Sequence, residues 1–158
     1  DPTVLVDDGT WYLHVTDKSA AKRPTLGIVI YTSHNGRTWI RTGVTAVGLG
    51  NDRAVDGKYI EGCDVRKIGG VFVALYTCCS NDDVWTIGMA SSSDPVSVFS
   101  KATPNPVFQH GLSGWDGASV AVPLLVNYRA DQWVMYYQGS AQRQPADTWD
   151  IGATVPAI

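Results

Sequence analysis

The sequence predicts an all-β fold. Three observations carry that expectation. Short runs of β-branched and aromatic residues recur with a period of two, among them "TVLV", "WYLHV", "GIVIYTS", "VFVALYT", "WTIGMAS", "VAVPLLV" and "WVMYYQG". Between them lie "DDG", "HNG", "IGG", "NDD" and "RADQ", the residue types that build tight turns. No segment shows an amphipathic helical pattern, and sixteen Gly with six Trp, seven Tyr and three Phe fit many short strands joined by turns.

The first unit reads "DPTVLVDDGTWYLHVT", a strand, a turn at Asp7-Asp8 and a second strand that holds His14 as a structural residue. "GIVIYTS" follows as its third strand, and "HNGRTWIR" leads to an outer fourth strand carrying Trp39. The second unit repeats this order. "IEGCDVRKIGGVFVALYT" supplies two strands and "WTIGMASS" the third, with Phe99 in "SDPVSVFSK" on the fourth. "NDD" at Asn81 to Asp83 reads as an acidic hairpin turn rather than a calcium loop. The third unit is "WDGASVAVPLLVNYRADQWVMYYQG" followed by "DIGATV" at Asp150 to Val155. Trp11, Phe72 and Trp133 stand at equal intervals of 61 residues in the middle strands.

A unit of three or four strands, repeated with a wide loop between, is the pattern of a β-propeller blade. The expected blades span about 1–45, 58–105 and 114–158. A β-sandwich of about nine strands is the alternative, but it does not predict the regular spacing. Three blades leave two faces open, so the chain is expected to be a fragment of a propeller or to close one by self-association.

A net charge of -3 and a pI near 5.4 argue against nucleic acid as a partner, which calls for a basic stripe. No apolar run approaches a membrane span, so no membrane partner is expected from the sequence. No leader is visible, and the compartment is not fixed by the sequence, a secreted setting being compatible with it. Cys63, Cys78 and Cys79 are too few for a disulfide framework and lack zinc spacing, so they read as buried thiols in strands. No metal and no cofactor is called for by these motifs.

Taken together, "DPTVLVDDGTWYLHVT", "IEGCDVRKIGGVFVALYT", "IGMASSSDPVSVFSK" and "WDGASVAVPLLVNYRADQWVMYYQG" resemble the five-bladed glycoside hydrolases, the arabinanase, β-xylosidase and invertase superfamily that includes families 43 and 32. The resemblance covers nearly the whole chain and implies a carbohydrate substrate. In those enzymes an aspartate of an Asp-Pro motif on the first blade is base or nucleophile, and a glutamate of a Glu-Gly-Pro or Glu-Cys-Pro motif is general acid. A further aspartate orients the substrate and tunes the acid. Asp1 matches the first role and Glu61 the second, with Cys63 where the family usually has proline. Asp116 in "WDGASVAVP" matches the third, with Asp64 as the alternative. The order also departs from family 43, where the tuning aspartate lies on the blade between base and acid. "SHNGRTW" resembles a shortened Asp-box of sialidases with Asn35 for the aspartate, a motif that holds a hairpin on the outer edge of a blade.

The implied chemistry needs two carboxyl groups with separated pKa values, one protonated toward the leaving oxygen and one ionised. Equivalent positions on the inner strands of a propeller converge on one axis, which brings residues some 60 apart in sequence together. Trp115 is the first candidate for a sugar platform, with packing between blades as its alternative, and His110 could bond a hydroxyl. Each residue also has a plain structural reading: a terminal charge for Asp1, turn or strand-start carboxylates for Glu61 and Asp116, and a loop histidine for His110.

Overall fold

A computed structural model describes residues 1–18, 27–51, 53–130, 132–143 and 148–156. Its described residues form strands and turns, with no helix. Strands β1 (Pro2–Asp7), β2 (Thr10–Asp17), β3 (Gly27–Ser33) and β4 (Ile40–Gly48) make an antiparallel meander in chain order. A second meander is built from β5 (Tyr59–Ile68), β6 (Val71–Cys79), β7 (Trp85–Ser92) and the two-residue β8 (Ser100–Lys101). The third comprises β9 (Ser119–Arg129), β10 (Gln132–Ser140) and β11 (Asp150–Thr154). One parallel pairing, Trp85 with Ser119, joins the second to the third, and neither resulting sheet closes on itself.

The turns follow from residue chemistry. Asp8 and Gly9 link paired Asp7 and Thr10 with φ of 46° and 74°, and Gly69 and Gly70 link paired Ile68 and Val71 with φ of 57° and 86°. Two consecutive left-handed residues are what a type I′ hairpin requires, and its twist matches that of the strands. The "SHNGRTW" turn is held as expected of its motif. Asn35 Oδ1 accepts from the backbone N–H groups of Arg37 and Thr38 at 2.9 Å each, and Ser33 Oγ accepts from Gly36 at 3.0 Å. The matching turn after β7 uses the same device: Ser92 Oγ accepts from the N–H of Asp94, and Asp94 Oδ1 from that of Val96. Because these turns take up the residues after β3 and β7, Trp39 and Phe99 fall one residue before β4 and β8. Phe99 is nonetheless buried, and its N–H donates to Ala46 O at 2.8 Å, tying the outer edge of the second meander to the first.

Trp11, Phe72 and Trp133 are each the second residue of a middle strand, β2, β6 and β10. The repeat therefore sets which way each middle strand faces. Leu5, Tyr12, Ile28, Ile30 and Val47 of the first meander meet Ile60, Val65, Phe72, Ala74 and Tyr76 of the second. On the other side of the second meander, Leu75 and Ile87 meet Val120, Leu125, Met135 and Tyr137 of the third. Burying each such aliphatic or aromatic side chain contributes roughly 1.5–3 kcal/mol, so these two layers carry the stack. Cys63, Cys78 and Cys79 are free and buried in β5 and β6, and burial pushes each thiol up to about 12. They are inert packing groups.

Candidate functional site

The first strands of the three meanders, β1, β5 and β9, lie side by side, and the start of β1 with the middles of β5 and β9 lines a cleft of about 440 Å³. Asp1, Thr3 and Val4 line it from β1 and the residue before it, Gly62, Cys63, Asp64 and Arg66 from β5, and Val122, Pro123 and Leu124 from β9.

Asp64 ties the three strands together. It is 2% exposed, and each of its carboxylate oxygens takes two donors. Oδ1 accepts from Thr3 Oγ1 of β1 at 2.9 Å and from Arg66 Nη2 at 3.0 Å. Oδ2 accepts from Arg66 Nε at 3.1 Å and from the backbone N–H of Leu125 in β9 at 2.7 Å. Thr3 and Leu125 stand 61 residues before and after it. A buried carboxylate is tolerable only with this degree of pairing.

Above Asp64 both β5 and β9 are distorted. The register of β5 against β6 shifts between Glu61 and Cys63, and Gly62 takes φ of 40°. The register of β10 against β9 shifts opposite Val122 and Pro123, and Val122 takes φ of 49°, a conformation β-branched residues rarely adopt. Thr77 Oγ1 locks the two bulges to each other, accepting from Val122 N–H at 2.7 Å while donating to Gly62 O at 3.4 Å. Gly62 N–H in turn donates to Thr16 Oγ1 of β2 at 3.2 Å.

Asp1 projects over this bulge, so that a Cβ on Gly62 would lie 3.6 Å from Asp1 Oδ2. Glu61 is the other half of the β5 bulge, and its Oε1 receives Lys18 Nζ at 2.9 Å. Asp1 and Asp64 thus line the cleft, and Glu61 is the neighbour of the Gly62 that lies under Asp1.

Asp116 and Trp115 meet on Tyr137 of the third meander, and His110 lies in the same loop ahead of β9. Tyr137 Oη donates to Asp116 Oδ2 at 2.9 Å, and burial together with that carboxylate pushes the phenol up to about 12. Trp115 stacks on Tyr137 with ring centroids 5.6 Å apart and covers Gly139 and Gly152, where a Cβ would come within 2.4 Å of the indole. Trp115 as a residue keeps 39% exposure. His110 Nδ1 lies 2.7 Å from Gly111 O. None of the three is among the residues lining the Asp1 cleft. No group of three or more His, Cys, Asp or Glu among the described residues is placed to hold a metal.

Thr16, Thr77, Arg66, Lys18 and Val122 were not singled out from sequence. Two signals for the bulges were present, a glycine inside "IEGCDV" and a proline inside "VAVPLLV", since both residues are rare in regular strand interiors.

Meanders stacked through their faces around a cleft lined by their first strands define an open part of a β-propeller, the fold of the five-bladed glycoside hydrolases. Solved structures of that class superpose on the chain. A thermostable family-43 glycoside hydrolase matches with a TM-score of 0.77 and 21% identity over 98% of this chain and 47% of its own. A family-117 glycoside hydrolase from the marine bacterium Zobellia galactanivorans matches with a TM-score of 0.78 and 17% identity, over 96% of this chain and 50% of its own. A family-43 β-xylosidase/α-arabinofuranosidase from a compost microbial metagenome, solved in complex with xylotriose, matches with a TM-score of 0.68 and 16% identity. It is covered over 94% of this chain and 48% of its own. The chain spans about half the length of the structures it matches. No family profile and no curated protein matches the sequence.

Proposed function

We propose that the chain forms about three blades of a five-bladed propeller that cleaves glycosidic bonds, with Asp1 as base or nucleophile and Glu61 as general acid. The observation that carries this reading is the placement of Asp1 over Gly62, the residue next to Glu61 on a bulge held by Thr16 and Thr77. Glycoside hydrolysis requires two carboxyl groups on one bond, and Asp1 before β1 and Glu61 in β5 come from neighbouring inner strands on either side of Gly62. Asp64 serves as the tie beneath them, and its bond to Arg66 fixes that guanidinium on the cleft wall. The substrate class is an oligosaccharide or polysaccharide containing xylose, arabinose or fructose. Xylotriose in the compost-metagenome enzyme makes xylosides the first to try.

The test is hydrolysis of aryl xylosides, arabinofuranosides and fructosides by the complete protein that carries these three blades, by its Asp1→Asn variant and by its Glu61→Gln variant. The expected result is turnover by the parent and a loss of at least about 100-fold in each variant, the scale of removing a general acid or base. Turnover that survives Glu61→Gln would sink the role of Glu61.

A second reading, a carbohydrate-binding propeller without turnover, is favoured by the Trp115 group. An indole fixed on a glycine shelf in a partly exposed residue is suited to stack on a sugar ring, with Asp116, its sequence neighbour, at hand for a hydroxyl. Glycan binding without turnover, abolished by Trp115→Ala, would select it over catalysis.

A further inference from the structure

Among the described residues that line the Asp1 cleft, Arg66 of β5 is the one basic side chain. Asp64 holds its guanidinium by one edge, with Nε 3.1 Å from Oδ2 and Nη2 3.0 Å from Oδ1. An arginine fork is planar and carries five N–H donors, so this grip leaves the Nη1 end unused. No other ion pair or hydrogen bond joins the guanidinium to the described residues, and the side chain keeps 32% exposure on the cleft wall. Turning it away would leave Asp64 charged and short of a partner in the interior, which is costly. Arg66 is thus set in place before any ligand arrives, and its free donors bind with little loss of side-chain freedom.

Its surroundings are those of a middle blade. β5 has β1 of the first meander on one side and β9 of the third on the other, and both contribute to the cleft. Asp64, the anchor of the guanidinium, lies two residues along β5 from Gly62, the residue under Asp1, a rise of about 7 Å. A single sugar ring bonded at Asp1 and lying in the cleft covers that distance. Charge decides which kind of ring. Asp64 already balances Arg66, and Asp1 adds a second carboxylate to the same lining, so no positive charge is left over for an acidic sugar. Hydroxyl oxygens accept from a guanidinium without bringing a charge of their own.

We infer that Arg66 is a substrate-binding residue whose Nη1 end donates to ring hydroxyls of an uncharged sugar held against Asp1, and that it selects neutral glycosides over uronic-acid ones. Discrimination comes from both sides: donors that suit hydroxyls, and carboxylates that repel a third. The inference rests on the glycosidase reading for the position of the sugar, but it needs no turnover.

The experiment is calorimetric titration of the complete protein and of its Arg66→Lys variant, which keeps a charge for Asp64 but loses the planar fork. The probes are methyl β-xyloside, methyl α-arabinofuranoside and methyl β-glucuronide, the last being the xyloside ring with a carboxylate at C5. The monodeoxy forms of the tighter-binding neutral glycoside follow. The parent is expected to bind that neutral glycoside at least about 10-fold more tightly than the glucuronide, and Arg66→Lys to weaken it by about 10- to 100-fold. At least one monodeoxy form should bind the parent less tightly yet lose nothing further in Arg66→Lys, a non-additivity that direct contact produces and a purely structural role does not. Arg66→Gln replaces the lysine variant if circular dichroism shows the latter unfolded. A glucuronide bound as tightly as the neutral glycosides, no binding of either neutral glycoside, or losses that simply add would overturn the inference. Hydrolysis by a parent that fails these tests would remove this role of Arg66 and leave the catalytic reading standing. Arg66-dependent binding without hydrolysis would do the reverse.

Discussion

Lowering the pH from 7 to 5 should weaken this fold through a single side chain. His14 lies on β2 at the interface of the first two meanders, with no exposed surface, edge-on to Phe99 at 5.9 Å. Neither ring nitrogen has a hydrogen-bond partner of normal geometry. Burial therefore disfavours the imidazolium and lowers the pKa from 6.5 to about 4, an effect that the backbone at Pro95 only partly offsets. Because the folded state takes up its proton later than the unfolded state does, stability is complete above pH 6.5 and is lost as the pH falls from there toward 4. The total loss across that window is roughly 3 kcal/mol, and about 2 kcal/mol of it falls between pH 7 and 5, before most carboxylates titrate. The comparison variant is His14→Leu, leucine being the residue found 61 positions on, at Leu75. It removes two unpaired buried nitrogens and should raise stability at pH 7 by about 1–3 kcal/mol. Urea denaturation of both proteins at pH 7, 6 and 5 measures the difference directly. The gap between them should widen by about 2 kcal/mol over this range. Parallel stability curves for the two proteins, or a His14 titration by NMR with its midpoint near 6.5, would refute the reasoning.

Asp64→Asn should cost about 2–4 kcal/mol in denaturant titrations, because it leaves the Arg66 guanidinium without its carboxylate and weakens the tie to β1 and β9. Adding Arg66→Met to that variant should recover part of the loss. Val126→Gly should destabilise the protein by at least about 1 kcal/mol more than Val122→Gly. The two positions are similarly exposed, but only Val122 carries a left-handed backbone that glycine relieves. Equal costs would remove the strain at the bulge from the account. Gly139→Ala should displace the Trp115 indole and cost roughly 1–3 kcal/mol, visible as a shifted indole N–H resonance and a lower melting temperature.

Much of the fold was legible because it is local. Asp8-Gly9 and Gly69-Gly70 announce two-residue hairpins through φ preference alone, and the spacing of Trp11, Phe72 and Trp133 fixes where each middle strand begins. Asn35 holds its turn with bonds that reach only three residues. The candidate site is not local. "EGCDV" shows two acids and a glycine, but that Asp64 points down to Thr3 and Leu125 while Glu61 turns to Lys18 depends on the bulge, which shifts side-chain alternation at Gly62. His14 read as structural from its place inside a strand. Its unpaired burial could not be read there, because Phe99 reaches it from the second meander.

The bulges also explain how one strand can serve two purposes. In a regular strand, side chains alternate strictly, so Glu61 and Asp64, three apart, would point to opposite faces. One extra residue at Gly62 resets that alternation and frees the upper end of β5 from the register that the core imposes below. The lower end can then be committed to packing and to the Asp64 tie, while at the upper end Gly62 enters the cleft lining and Glu61 turns to Lys18. β9 repeats the solution at Val122 with a residue ill suited to it, and Thr77 pays for that strain by bonding the Val122 N–H and the Gly62 carbonyl at once. A left-handed valine held by a buried threonine between two inner strands stores strain beside Asp1, and strain of this kind gathers where geometry serves function.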